Sequence, residues 1–167
     1  MSAGRFLAVV LVLAGLLAGG AMYWLQVYGY YDRLEPRIAL LVQAEDGVRR
    51  LTIADYQGID SQSSPLRLRE CFTVLGTPEA LIPVERPQPL NAPGWFSCFD
   101  ARAIGDDLAA GRAAAWLVEG NVRFGFDRVL ALYPDGRGFV WVQTNACGQA
   151  HFDGRPLPPG CPPAPTR

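Results

Sequence analysis

The chain contains no lysine. Its 15 basic residues are all arginine, set against 16 acidic residues for a formal net charge of −1. We read the missing lysine as the signature of a GC-rich genome. From Arg37 onward, 13 arginines face 14 carboxylates, and only Arg49 and Arg50 are adjacent. Nucleic-acid binding needs a surplus of positive charge to displace counterions from phosphates, so no nucleic-acid partner is expected. Histidine is almost absent: His151 stands alone, in what reads as a loop past the last strand. Methionine occurs only as Met1 and Met22. Haem and copper sites draw on His, Met and Cys ligands, so no cofactor and no metal are expected. There is no Walker-type loop and no G-x-G-x-x-G, which leaves nucleotide chemistry without support. No C-x-x-C occurs, and no nucleophile or orienting acid is identifiable beside His151. Asp106-Asp107 are neighbours on a helix, about 100° apart, and belong to a solvated face rather than a shared acid site. The expectation is a protein that is not an enzyme.

What is present begins with an apolar run. Phe6 to Leu25 is twenty residues without a charge. At about 1.5 Å per residue such a helix spans about 30 Å, the thickness of a bilayer's hydrocarbon core. Tyr23, Trp24, Tyr28, Tyr30 and Tyr31 crowd its far end, where aromatic rings favour the headgroup region. Pro36 is expected to stop the helix. A cleaved signal peptide is the competing reading, with Ala18-Gly19-Gly20 as a small-residue cleavage site. The apolar stretch continues past that point to Tyr31, interrupted only by Gln26, which favours an uncleaved anchor over residues 1–36. Charge counting alone, with Arg5 before the span and Arg33 and Arg37 after it, would put the C-terminal side inside. The short N-terminal tail and the cysteines argue for the opposite orientation. Within the span, Gly15 and Gly19 form a G-x-x-x-G that lets two helices approach closely, as a homodimer or against an integral-membrane partner.

The cysteines Cys71, Cys98, Cys147 and Cys161 all follow the apolar run, widely spaced and even in number. After a membrane-targeting segment this pattern reads as structural disulfides in an oxidising compartment. Four cysteines allow three pairings. Cys71–Cys98 and Cys147–Cys161 are favoured, because each closes a proline-rich stretch with little regular structure of its own. Closing such loops is worth roughly 3 kcal/mol each in the chain-entropy account.

Residues 37–167 read as one α+β domain: a small antiparallel sheet with one packed helix. Ile38–Gln43 and Val48–Ile53 flank the turn Glu45-Asp46-Gly47. Gln57–Pro65 is polar and reads as loop, and Leu66–Val74 as a half-buried strand. Thr77-Pro78-Glu79 suits a short helical turn inside a proline-rich loop over 77–94. Asp100 caps a helix to Ala110, with Gly111 closing it and Ala101, Ile104 and Leu108 on one face. Ala113–Val118 is a strand, Gly120-Asn121 a hairpin turn, and Val122–Asp127 the returning strand. Arg128–Tyr133 and Arg137–Thr144 follow; Val129–Tyr133 and Phe139–Val142 within them are apolar on both faces, so these strands are covered on both sides or sit centrally. A proline-rich tail fills 155–167. Arg123 and Asp127 are expected to share a face, in the plain reading as a structural ion pair. The sharper reading is an anion- or partner-binding patch with Arg128, which Trp141, Gln143 and Asn145 on the next strand would extend, although Trp141 itself reads first as core.

Several stretches carry a resemblance. Gly20-Ala21-Met22-Tyr23 and Gln26-Val27-Tyr28, Ala103-Ile104-Gly105, Gly125-Phe126-Asp127-Arg128-Val129, Tyr133-Pro134-Asp135-Gly136-Arg137 and Asn145-Ala146-Cys147-Gly148 resemble a family of small single-span bacterial membrane proteins of unknown function. The resemblance implies a membrane-anchored protein and transfers no site residues. The expectation is an accessory or interaction protein of the bacterial inner membrane, single-pass, its domain in the periplasm. A small-ligand-binding or sensory module is the alternative.

Overall fold

The computed structural model describes residues 2–76 and 78–165. The chain divides into two compact units, Met1–Tyr31 and Asp32–Arg167. In the first, α1 covers Ala3–Trp24 and passes directly into one π-helical stretch, Leu25–Gly29. The continuous helix Ala3–Gly29 has 27 residues, about 40 Å at the usual rise, and is long and apolar enough to cross a bilayer. A signal sequence meets the same criterion. No residue of α1 is buried within the chain. The helix does not run on to Pro36. It ends at Gly29, and the chain is already extended at Asp32–Arg33, a short strand β1. Pairing of those two residues with a strand partner competes successfully with another helical turn.

The second unit is α+β, as the hydrophobic patterning implies. Seven antiparallel strands form one sheet in the order β1-β3-β4-β7-β6-β5, with β2 pairing on β3 as well. The strands are β2 Ala39–Ala44, β3 Gly47–Asp60, β4 Arg69–Leu75, β5 Ala114–Arg123, β6 Phe126–Leu132 and β7 Arg137–Thr144. The β2–β3 hairpin turns at Glu45-Asp46, and Gly47 takes φ 137°, a backbone conformation open to glycine. β3 is longer than its first half suggests. Gln57–Asp60, polar enough to pass for loop, continue the strand after a bulge at Ala54–Gln57, where Asp55 adopts φ 54°. Ladder bonds to β4 on one side and β1 on the other outweigh the low strand propensity of that stretch.

A second departure concerns the last hairpin. Gly120-Asn121 is not its turn. β5 continues through both residues to Arg123, and the chain reverses at Phe124-Gly125. Two register shifts in β5, at Leu117–Glu119 and Glu119–Arg123, absorb the extra residues. Asn121 sits at φ 51°, and its Oδ1 accepts from the Gly125 backbone N–H at 3.1 Å. The Asn-x-x-x-Gly spacing therefore builds the turn, one step later than a simple two-residue loop would.

The sheet curls until β2 touches β5. The segment Leu81–Val84 bridges Ala44 on one side and Trp116 on the other. The enclosed face holds the main core: Leu40, Ile53, Phe72, Leu130, Val140 and Val142. The opposite face lies under the proline-rich loop and the helix α2, Ala101–Ala109. Asp100 caps α2 by accepting from the N–H groups of Arg102 and Ala103, both at 3.0 Å. Ala101 and Ile104 are buried and Leu108 half-buried, the face expected from the spacing. Phe99, at the start of this helix, packs edge-on against Phe139 and Trp141. A further short helix α3, Ala146–Phe152, follows β7. Its proximity to the strand end and its Cys-Gly-Gln composition gave no helical period to read. Pro78 and Glu79 have no regular structure, and Thr77 lies outside the described residues.

Candidate functional site

The residues singled out in the sequence scatter over several places. Arg123 closes β5 and is exposed, while Arg128 stands on β6 and pairs in register with Glu119. The Arg128 guanidinium donates an Nη to Glu119 at 3.2 Å, and its Nε is buried with no acceptor. Both arginines line one open pocket of about 360 Å³. Asp127 is not part of it. As the strand neighbour of Arg128 it points to the other face, where its Oδ1 accepts from the Asn121 N–H at 2.8 Å and from Asn145 Nδ2 at 2.7 Å. The expectation that Arg123 and Asp127 share a face fails, because across the late turn Arg123 pairs with Phe126, and Asp127, the next residue, leaves the opposite face. Asp127 is a structural acceptor that fastens β5 to the N-cap of α3.

Trp141 and Gln143 do not extend a surface patch either. Trp141 is 0% exposed. Its Nε1 donates to Gln143 Oε1 at 3.0 Å, and that same oxygen accepts from the Gln88 N–H at 2.7 Å, while Gln143 Nε2 donates to the Arg86 carbonyl at 3.0 Å. The pair holds the proline-rich loop on the sheet. His151 lies on α3 rather than in a loop, and stacks edge-on against Phe124 at 5.2 Å between ring centres. Asp106 is exposed. Asp107 accepts from the Tyr133 hydroxyl at 2.7 Å and from Arg112 Nε at 2.6 Å, donors that hold its carboxyl below the usual range. Burial and that bond to Asp107 push the Tyr133 hydroxyl up to about 12.

The cysteines stand at disulfide distance in two pairs, the same two that loop closure favours. Cys71–Cys98 measures 2.14 Å between sulfurs and Cys147–Cys161 2.10 Å. The first ties the central strand β4 to the end of the proline-rich loop. The second ties α3 to the tail. Among the described residues no group of three metal-binding side chains occurs.

Sequence patterning missed the polar residues at the heart of β4. Arg69 is 3% exposed and Glu70 2%. The alternation from Leu66 to Val74 suggests polar side chains in water, but one face of β4 looks into the enclosed core and the other lies under the proline-rich loop, so both are covered. Arg69 donates to the carbonyls of Leu66, Leu68, Leu90 and Asn91, fixing the loop's path. Glu70 accepts from Arg37 Nη2 and, at 3.0 Å, from the Tyr56 hydroxyl on the enclosed face. Burial pushes its carboxyl above the ordinary value, opposed by Arg37 and by the Tyr56 bond. Two adjacent charges inside an otherwise apolar strand are the signal that could have marked this pair.

The candidate arginines Arg123 and Arg128 meet in the 360 Å³ pocket. Asp32 and Asp60 form its acidic side. They are register partners across β1 and β3, so their side chains leave the same face of the sheet. Leu34, Leu68, Val122 and Val142 supply its apolar wall. Such an arrangement can bind and orient a small ligand by charge and shape.

No curated protein and no solved structure matches the chain. One family model matches residues 38–162, which is most of the chain and nearly all of the sheet unit, and by that match the protein belongs to the family of unknown function DUF6446.

Proposed function

We propose that this chain is a non-enzymatic accessory protein of a bacterial inner membrane. Helix Ala3–Gly29 crosses the bilayer once as an uncleaved anchor, and the sheet unit works in the periplasm, contacting a membrane complex. The observation that carries this reading is the sequence of parts: a 27-residue apolar helix with no buried residue, followed by a domain whose four cysteines are all paired. Paired sulfurs belong to an oxidising compartment. Gly15 and Gly19 support a helix contact within the membrane, since nothing in the chain lies within 4 Å of a Cβ added at either.

That open space makes the test clean. Purification in mild detergent is expected to bring down a membrane partner, or a second copy of the chain. Gly15→Leu with Gly19→Leu is expected to lose it while leaving the thermal melt of the sheet unit unchanged. Retention of the partner by the double variant would contradict a helix contact, and purification without any partner would contradict the accessory role. The alternative, a ligand-binding or sensory module, is favoured by one observation: Arg123 and Arg128 share a pocket with a pair of carboxylates.

A further inference from the structure

We propose that the pocket at the β1–β3 edge and the β5–β6 hairpin binds a small zwitterion, an ammonium and a carboxylate or phosphate joined by a short skeleton. This deepens the ligand-binding alternative and is independent of membrane anchoring and of any protein partner.

Charge carries the inference. Asp32 and Asp60 are directly opposed across β1 and β3, and like charges so placed repel one another. Among the described residues neither forms an ion pair. Asp60 Oδ1 accepts from the Ser61 N–H, which leaves its second oxygen and both oxygens of Asp32 for a cation. Two carboxylates are too few for a protein metal cage, and an ammonium with its three donors fits them better. Across the pocket the sign reverses. Arg123 forms no ion pair among the described residues, and Arg128 engages Glu119 through one Nη while its Nε has no acceptor. An anionic group at that end relieves the arginines as the ammonium relieves the aspartates, and guanidinium forks suit carboxylate and phosphate alike.

Size and lining agree. About 360 Å³ lies at the low end for small-molecule sites. The apolar wall of Leu34, Leu68, Val122 and Val142 receives the uncharged part of the ligand. A purely anionic ligand would meet two carboxylates, and a purely cationic one two guanidiniums. Only a molecule carrying both signs satisfies both ends.

The test is calorimetric titration of the full chain in detergent micelles. L-leucine is compared with its deaminated and decarboxylated halves, 4-methylpentanoate and isoamylamine. The zwitterion is expected to bind at least about ten-fold more tightly than either half, each charge-assisted contact being worth about that much. Arg123→Gln and Asp32→Asn, both at exposed positions, are each expected to weaken binding about ten-fold with an unchanged near-UV spectrum. O-phosphoethanolamine in place of leucine, and nanodiscs of phosphatidylethanolamine against phosphatidylglycerol, separate a lipid headgroup from a free amino acid as the source. Binding by neither leucine nor phosphoethanolamine, binding of either half as tight as that of leucine, or full retention of binding in the variants would overturn the proposal. None of these results depends on whether a protein partner is found.

Discussion

Glu70 is a carboxylate placed in a hydrophobic core, held by Arg37 and Tyr56. Burial raises its proton affinity in the folded state. A carboxyl so raised binds protons more tightly folded than unfolded. Its stabilising contribution is complete below the unfolded value of about 4.3 and fades as pH rises through the folded value. Glu70→Gln keeps the shape and removes the charge. The difference in Tm, variant minus native, is expected to become more positive from about pH 4 to about pH 7. Thermal melts across that range check it, and a difference that becomes more negative would contradict the sign. Trp141 is the other residue on which much rests: it is fully buried, and Phe99 packs edge-on against it. Trp141→Ala is expected to cost about 3–5 kcal/mol in urea unfolding.

These two residues also show what a sequence reveals at this scale. Val129, Val140 and Val142 announce buried strands because both faces are apolar, and Trp141 reads as core for the same reason. Glu70 and Arg69 were hidden by the opposite logic, since local alternation assigns charge to solvent. Their burial follows from the curl of the sheet over Glu70 and the path of the proline-rich loop over Arg69, both non-local facts. The pairing of Asp32 with Asp60 is hidden too, because 28 positions separate them and only the β1–β3 register brings them together.

At the scale of elements, the staples and the tight contacts decide order. The Cys71–Cys98 bridge closes a separation of 27 residues around a loop with little regular structure. Replacing both cysteines by serine is expected to cost about 3 kcal/mol in denaturant unfolding. The Arg69 and Gln143 contacts should keep the loop on the sheet even so. Helix α3 docks by a different device. Gly125 takes φ 83°, and a Cβ there would come within 2.5 Å of the Gly148 Cα. Gly125→Ala is expected to push α3 off the hairpin, with a loss of about 1–3 kcal/mol and faster proteolysis in residues 146–165. Unchanged proteolysis would mean that α3 does not depend on this approach. The helix α2, the β2–β3 hairpin and the two final strands were readable from caps, turn residues and period. The late turn of the β5–β6 hairpin was not, because bulges shift register without leaving a pattern in the apolar residues.

At the scale of the whole molecule, two units with different chemistry share one chain. The first is an apolar helix with no core of its own, and the second carries its own core, both disulfides and the pocket where Arg123 and Arg128 face Asp32 and Asp60. The twenty uncharged residues of the first and the four cysteines of the second are both compositional features. The family match over residues 38–162 falls on the second unit. The central claim is that the helix is retained in a membrane while the sulfurs are bonded on its oxidising side. Intact-mass spectrometry of the protein extracted from membranes, alkylated without reductant, tests both halves at once. The expected species carries the whole apolar helix, weighs four hydrogens less than the fully reduced chain, as two disulfides require, and bears no alkyl adduct. A species lacking the N-terminal segment, or one carrying four adducts, would contradict the account.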